Sequence, residues 1–149
     1  MANGRESWDA YFMRIVDAVA SRATCTRKKN GAVIIRGHFI LSTGYNGSVR
    51  GGKHCDEVGC KMFNGHCVRT VHAEQNALVS AALNGVNISG AALYTTCFPC
   101  LICAKLLINS GIKKIFYREF YFKNEYKQEM EFTQELFKEA GVETIQMKE

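Results

Sequence analysis

The chain contains 149 residues, of which 47% are hydrophobic and 22% are charged, a balance typical of an ordinary soluble globular protein. The length fits one compact domain, residues 1–149. The formal net charge of +5 suits a small anionic ligand at least as well as a nucleic-acid polymer, and we expect no such polymer as a partner. No apolar run approaches the ~20 residues that span a bilayer, and the first residues lack a signal-peptide pattern. We therefore expect a cytoplasmic protein without a membrane partner.

The hydrophobic pattern predicts both helices and strands. Ser7 is predicted to cap a first helix that runs to about Arg22, because apolar residues follow it at helical spacing. Two short strands, 31–36 and 39–43, precede a long loop, 44–71, of a kind that is usually functional or metal-bound. Beyond this loop we predict a helix at 72–84, a strand at 91–95, a helix at 100–110, a strand at 113–117, a helix at 124–140 and a strand at 142–147.

The alternation of strand and helix after residue 91 predicts parallel pairing with right-handed crossovers. Together with the first hairpin, these elements predict an α/β fold with a sheet of about five strands covered by helices. Seven cysteines are present. Because thiols stay reduced in the cytoplasm, an odd number of cysteines indicates metal ligands rather than a disulfide framework.

The residues with the clearest chemistry open two consecutive helices. Cys100 and Cys103 are three residues apart, so they share a helix face, and the helix N-terminus favours their thiolates. His72 supplies a third ligand from the start of the preceding helix. Three protein ligands leave a fourth tetrahedral position for water, as in a catalytic zinc site. Glu74 lies close enough to handle protons while staying outside the coordination shell.

Each motif is weak by itself, because a C-x-x-C pair also occurs in redox proteins and in structural zinc sites. The two helix starts flank one strand, 91–95, so we expect both at the carboxyl end of the sheet, where open α/β sheets bind ligands. A redox site would not need His72 and Glu74. A binding module with only structural zinc stays open as an alternative, and a Glu74→Ala variant would separate it from an enzyme.

These residues carry a family resemblance. The H-x-E at 72–74 and the P-C-x-x-C at 99–103 form the signature of zinc nucleobase deaminases. Over nearly its whole length the chain resembles the cytidine deaminase superfamily. Within that superfamily it resembles the dCMP deaminases of microbes and phages at four segments, GYNG (44–47), HAEQNA (72–77), FPCLICAK (98–105) and SGIKK (110–114).

The resemblance implies a cytidine-deaminase-like three-layer α/β/α fold with a mixed sheet, and hydrolysis of dCMP to dUMP and ammonia for thymidylate synthesis. Zinc would activate a water for attack on C4 of cytosine, while Glu74 takes the water proton and protonates ring N3. The substrate-binding candidates are Asn46, Ala73, Arg27 and Tyr121. Lys28 and Arg22 are alternatives to Arg27 for the 5′-phosphate, and Asn46 and Tyr121 also fit a turn residue and a core aromatic.

The remaining cysteines indicate a second metal. The stretch 44–71 has few hydrophobic residues to bury, so it needs a metal or another constraint to hold one shape. Similar enzymes from phages and bacteria carry a structural zinc in this region. We predict ligands from four cysteines, with His54 or His66 as a replacement for one: Cys25, Cys55, Cys60 and Cys67.

Regulation is implied by the resemblance alone. Many dCMP deaminases are homohexamers that are activated by dCTP with Mg²⁺ and inhibited by dTTP. The loop 44–52 resembles the region of the effector site, and it offers Tyr45, Gly47 and Arg50 as effector-binding candidates. The nearest rival function is a tRNA adenosine or polynucleotide cytosine deaminase, which would require a broad basic groove and strongly salt-dependent binding.

Overall fold

The structure is a computed structural model that describes residues 4–121 and 124–148. Residues 1–3, 122, 123 and 149 of the predicted domain lie outside the described residues. The described helices and strands are, in chain order, α1 (Trp8–Ala20), β1 (Gly31–Arg36), β2 (Phe39–Tyr45), β3 (Gly47–Ser48), α2 (Cys55–Val58), β4 (Met62–Phe63), β5 (His66–Cys67), β6 (Thr70–Val71), α3 (Ala73–Leu83), β7 (Ala92–Cys97), α4 (Leu101–Asn109), β8 (Lys114–Glu119), a 3₁₀ turn (Asn124–Tyr126), α5 (Lys127–Glu139) and β9 (Glu143–Gln146).

Five strands form one mixed sheet in the order β2-β1-β7-β8-β9. β1 pairs antiparallel with both β2 and β7, while β8 pairs parallel with β7 and β9. The predicted parallel pairing of the last three strands is therefore confirmed. As expected for consecutive β-α units, the carboxyl ends of β7 and β8 lie at one edge, and the segments that enter α4 and α5 leave from that edge.

Helices cover both faces of the sheet, which confirms the three-layer α/β/α prediction. Alternate residues of β1 point to opposite faces. Ala32 and Ile34 join the larger core beneath α3, α4 and α5, whereas Val33 and Ile35 join the smaller core beneath α1. Within the described residues, no helix has both the length and the apolar character needed to cross a membrane.

The first helix begins where the sequence predicts. The Ser7 hydroxyl accepts a hydrogen bond from the Ala10 N–H at 3.1 Å, which satisfies one of the free donors of the first turn. β2 runs two residues beyond its predicted end and takes in Gly44. A side chain at this position would clash with the Ala73 carbonyl and the Ala77 N–H, so the absence of a Cβ lets β2 pack directly on α3.

The predicted loop 44–71 contains more hydrogen-bonded structure than expected. β3 pairs with β6, and β4 pairs with β5, in two short antiparallel ladders on either side of the single-turn helix α2. Cysteine side chains lie in α2 and β5. Short polar strands give little sequence signal because their pairing is set by turns and side-chain contacts rather than by apolar alternation.

Candidate active site

Three ligand atoms meet where α3 and α4 begin. His72 is the N-cap residue of α3, Cys100 is the N-cap residue of α4, and Cys103 lies in the first turn of α4. His72 Nδ1 lies 3.5 Å from Cys100 Sγ and 3.4 Å from Cys103 Sγ. Because both helix N-termini lie at the same edge of the sheet, the topology brings together residues that are about 30 positions apart in the chain.

The donor set and its spacing fit zinc. Tetrahedral Zn²⁺ with its usual Zn–S and Zn–N bond lengths places sulfur and nitrogen ligands about 3.6 Å apart. The two observed N–S distances match that spacing, and all three ligand atoms lie within 4.8 Å of one another. One nitrogen and two sulfurs form a ligand set with an open fourth position, as in catalytic sites.

The local electrostatics favour metal binding at these thiols. A hydrogen bond from Cys103 lowers the pKa of Cys100 to about 4, which provides the thiolate form. The same hydrogen bond, together with burial, raises the pKa of Cys103. A divalent cation between the two sulfurs would displace that thiol proton. The Cys100 contact also raises the pKa of His72 to about 8.

Glu74 lies beside this group in the first turn of α3. Only 7% of its surface is exposed, and its Oε2 lies 3.8 Å from Cys103 Sγ. Burial raises the pKa of its carboxyl group, because the charged form loses hydration. A buried carboxyl group in this position can accept a proton and return it, which is what a general acid–base group does.

Two residues that support this arrangement were not predicted from the sequence. The Gln75 side chain accepts a hydrogen bond from the His72 backbone N–H at 2.9 Å. The Asn76 amide donates to the Tyr45 carbonyl at 2.8 Å, which ties the start of α3 to the end of β2. Gln75 lies three residues after the N-cap, so the capping-box pattern was the signal that would have identified it.

A cavity of about 450 Å³ opens from these residues, a size that accommodates a small ligand. His72, Glu74 and Cys100 lie in its wall. The predicted substrate residues Arg27, Asn46 and Tyr121 also line it, as does Lys28, whereas Arg22 and Ala73 are not among its lining residues. Predicted site residues from five distant segments are thus brought around one space.

Lys28 and Arg27, the two cavity residues that could bind the 5′-phosphate, differ in their contacts. Lys28 Nζ lies 2.8 Å from Glu119 Oε1 and 5.4 Å from the centre of the Tyr121 ring. Arg27 makes only long contacts, at 3.5 Å to the Tyr121 hydroxyl and at 3.7 Å to the Met62 sulfur. Among the described residues, no carboxylate is paired with Arg27. Its guanidinium is therefore the cation that is available to a ligand.

Asn46 has a structural role in addition to its place in the cavity wall. Its side-chain oxygen accepts from the Asn30 N–H, and its amide nitrogen donates to the Lys28 carbonyl, both at 2.8 Å. These bonds fix the segment that carries the cavity residues Lys28 and Asn30. The nearby Cys97 thiol donates to Asn30 Oδ1 at 3.4 Å, and burial raises its pKa to about 11.

A second group of thiols gathers three of the four predicted ligands. The Sγ atoms of Cys55, Cys60 and Cys67 lie within 4.8 Å of one another, and those of Cys55 and Cys67 are 3.7 Å apart. The Thr70 hydroxyl contacts both of these sulfurs at 3.6 Å. Although burial opposes the shift, hydrogen bonds from Thr70 and the backbone lower the pKa of Cys67 to about 6. Three thiols at this spacing fit a zinc site.

Cys25 is not a member of this group, but the residues on either side of it contact the same region. The Thr24 hydroxyl lies 3.0 Å from His54 Nδ1, and the Thr26 hydroxyl lies 3.7 Å from Cys60 Sγ. Cys25 itself is buried and lines the cavity. His66, the other predicted replacement ligand, contacts the Tyr126 hydroxyl.

The predicted effector residues lie outside the cavity lining. Tyr45 ends β2, Gly47 begins β3, and Arg50 is exposed in the turn that follows. Gly47 pairs with Val71, directly before the ligand His72. Tyr45, Gly47 and Arg50 therefore lie near the start of α3 without lining the cavity, whereas Asn46 of the same loop does line it.

Comparison with known proteins identifies the family. A family model described as the zinc-binding region of cytidine and deoxycytidylate deaminases matches residues 6–119. The chain belongs to the cytidine and deoxycytidylate deaminase family. The resemblance seen in the sequence is thereby confirmed. The matched range contains Glu74 and all three ligands of the first metal group, and it ends before α5.

Curated relatives and solved structures agree with this assignment. ComE operon protein 2 of Bacillus subtilis is 43% identical over 143 residues, which cover 96% of this chain and 72% of that protein. The deoxycytidylate deaminase of Schizosaccharomyces pombe is 35% identical over 150 residues, and the chain spans 95% of its own length but only 44% of that enzyme. The dCMP deaminase of cyanophage S-TIM5, solved with dCMP and dUMP, matches with a TM-score of 0.77 at 31% identity over 93% of this chain and 95% of that chain.

Proposed function

We propose that the chain catalyses hydrolytic deamination of dCMP to dUMP and ammonia. The observation that carries this proposal is the position of Glu74, a buried carboxyl group beside the ligands His72, Cys100 and Cys103, at the wall of one cavity. The choice of dCMP is supported by relatives that are named for this activity, and by a similar fold solved with dCMP and dUMP.

The chemistry requires an added water oxygen at C4 and a broken bond between C4 and the exocyclic nitrogen. Zinc held by His72, Cys100 and Cys103 would supply a water of lowered pKa near neutral pH. Glu74 would take one proton from the attacking water and deliver it to ring N3. It would then take the second proton from the hydroxyl added at C4 and pass it to the amino group, which leaves as ammonia while C4 becomes a carbonyl carbon. Burial raises the pKa of Glu74, which favours the protonated form that acts as the acid in these later steps.

For substrate binding, we infer that Arg27 holds the 5′-phosphate. Lys28 is held by Glu119, and Arg22 does not line the cavity, so Arg27 is the best placed of the three predicted cations. A guanidinium suits phosphate because it presents two parallel donors. Tyr121 contacts both cations and completes this end of the site. Asn46 would face the sugar and base from the cavity wall, whereas Ala73, which does not line the cavity, would act only through its neighbours His72 and Glu74.

We also propose a second, structural zinc held by Cys55, Cys60 and Cys67, with Cys25 as the fourth ligand. The contacts of Thr24 and Thr26 place the Cys25 segment against this group. Zinc here would fix the loop 44–71, whose short ladders contain few residue pairs to stabilise it. We propose no catalytic step at this metal.

Assembly and regulation complete the proposal. α3, α4 and α5 carry exposed apolar side chains outside the cavity lining, of the kind that associates with another protein surface: Val79, Leu83, Leu106 and Phe132. We propose that this surface joins copies of the chain into a homo-oligomer, a hexamer in its full form.

We also propose that dCTP with Mg²⁺ activates the enzyme and that dTTP inhibits it, both through Tyr45, Gly47 and Arg50. The protein would act in the cytoplasm and supply dUMP for thymidylate synthesis.

The experiment that tests this function uses zinc-loaded protein with dCMP, deoxycytidine, CMP and dCTP as parallel substrates. Ammonia release and product chromatography are followed with and without dCTP and Mg²⁺ as effector. Selective turnover of dCMP is the expected result, and a response to dCTP would support the regulatory part. No turnover of any of the four would overturn the proposal and favour a tRNA or single-stranded nucleic-acid substrate.

A further inference from the structure

The residues that line the cavity differ in exposure. Glu74 is buried and contacts Cys103 of the first metal group, and we call the space around it the inner end. His66, Arg27 and Tyr121 are exposed, and we call the space that they border the outer end. The inner end is where the base would react, so the rest of a nucleotide would extend toward the outer end. The contacts that close this outer end have no part in the proposed chemistry.

One wall of the outer end is a tight hairpin. β4 and β5 pair through Phe63 and His66, and only Asn64 and Gly65 lie between them. Both of these residues have positive φ values, 49° and 79°, as a two-residue type I′ turn requires. At its base, the hairpin is fixed by the pairing of Met62 with Cys67, a member of the second thiol group.

The tip of the hairpin contacts the segment before α5. The Tyr126 hydroxyl lies 3.2 Å from His66 Nε2, and the centres of the two rings are 5.1 Å apart. A Cβ at Gly65 would lie 3.7 Å from the same hydroxyl, so the turn itself packs against Tyr126. His66 and Tyr126 are 60 residues apart in the chain, and both line the cavity.

The hairpin also reaches the proposed phosphate residue. The Met62 sulfur lies 3.7 Å from Arg27 Nη1, and Arg27 Nη2 lies 3.5 Å from the Tyr121 hydroxyl. The outer end is therefore bordered by a series of contacts that runs from Tyr126 through the hairpin to Arg27 and Tyr121. The border joins three segments that are distant in sequence.

We propose that the contact between His66 and Tyr126 is a specificity determinant that confines the ligand to a single nucleotide. This inference rests on the proposed function. A cytosine nucleotide within a chain continues through its 5′-phosphate or its 3′-oxygen, and the next nucleotide must leave the cavity at the outer end. There it meets the His66–Tyr126 wall, which a mononucleotide does not have to pass. His66 and Tyr126 thus select against oligonucleotides without touching the reacting atoms.

The test compares wild-type protein with Tyr126→Ala and His66→Ala, each loaded with zinc. The substrates are dCMP and two 5′-phosphorylated dinucleotides, one with cytosine as the first base and one with cytosine as the second. The readout is the ratio of kcat/KM for each dinucleotide to kcat/KM for dCMP. Tyr126→Phe is the matched control, because it keeps the ring on His66 and removes only the hydroxyl. Melting temperature and zinc content confirm that each variant is folded and loaded.

We expect at least one dinucleotide ratio to rise about tenfold or more in both alanine variants. In the double variant the dinucleotide ratio should rise no further than in the single variant with the larger increase, because both residues form one contact. Unchanged ratios in both folded alanine variants would overturn the proposal, as would efficient dinucleotide turnover by the wild type. If the wild type fails to deaminate dCMP, the proposed function itself has failed, which is a different result from an unchanged ratio.

Discussion

His72 Nδ1 lies 3.4 Å from Cys103 Sγ, although 31 residues separate the two in the chain. Each residue is fixed by its own helix start, His72 as the N-cap of α3 and Cys103 in the first turn of α4. The two helices contact each other and lie on the same face of the sheet. The distance between the ligands is therefore determined by the packing of the fold and is already correct for zinc.

This geometry predicts a metal-dependent activity. Replacing His72 with alanine removes one of three ligands, so we expect the catalytic zinc to be lost and dCMP turnover to fall below detection. Treating the wild type with a chelator should have the same effect. Added zinc should then restore the activity of the wild type but not that of His72→Ala. Metal content by mass spectrometry and dUMP formation check both results. Full turnover by a zinc-free preparation would contradict this prediction.

The second thiol group predicts a second zinc. Cys55→Ser should lower the zinc content from two ions to one and reduce the free energy of unfolding by about 4 kcal/mol, roughly 10 °C in Tm. The reason is that the loop 44–71 loses its constraint. Cys97→Ser is the matched control, since Cys97 is a buried thiol outside both groups. Retention of two zinc ions by Cys55→Ser would exclude Cys55 as a ligand.

The position of Arg27 predicts that the protein distinguishes a nucleotide from a nucleoside. Arg27→Ala should raise KM for dCMP about 30-fold, because a charge-assisted hydrogen bond to phosphate contributes about 2 kcal/mol. Deoxycytidine has no phosphate, so its kcat/KM should change little. Arg14→Ala removes a charge of the same sign from an exposed position that pairs with Glu6, and it serves as the control. Equal losses for dCMP and deoxycytidine would show that Arg27 acts on the fold and not on the phosphate.

The contact between Tyr94 and Asp9 predicts a stability that depends on pH. The Tyr94 hydroxyl donates to Asp9 Oδ1 at 2.6 Å, and burial together with this carboxylate raises the Tyr94 pKa from its ordinary value of 10.0. Because the folded state holds the proton more tightly than the unfolded state, the stabilisation is complete below pH 10 and is lost as the pH rises further.

Urea unfolding of Tyr94→Phe tests this dependence. At pH 7 the variant should be less stable than the wild type by about 2 kcal/mol, because a hydrogen bond to a charged group is lost. The difference should shrink as the pH rises above 10. A difference that stays constant over this range would show that Tyr94 contributes by packing alone.

The grouping of His72, Cys100 and Cys103 could be predicted from the sequence because its signal is local. His72 and Glu74 are two residues apart, and Cys100 and Cys103 are three apart, so each pair is placed by one helix start. The alternation of strands and helices then fixes where these starts meet. Short spacing and regular topology were sufficient for the position of the metal ligands, and for the fold class.

Contacts between distant loops could not be predicted in the same way. Nothing in the local sequence indicates that His66 meets Tyr126, or that Glu119 pairs with Lys28. Asn46 was expected to contact substrate, and no residue pattern indicated that both ends of its amide bind the backbone of 28–30. Such contacts depend on the relative placement of whole segments, which residue spacing does not determine.

The most direct test of the central claim measures dUMP formation from dCMP by the wild type and by Glu74→Gln at equal zinc content. Glutamine keeps the size and the buried position of Glu74 but cannot carry a proton. We predict that the variant keeps its zinc and its fold while kcat falls by roughly 10³-fold or more, because general acid–base catalysis is lost. A zinc-loaded Glu74→Gln variant with the same kcat as the wild type would contradict the account, since Glu74 would then have no part in the reaction.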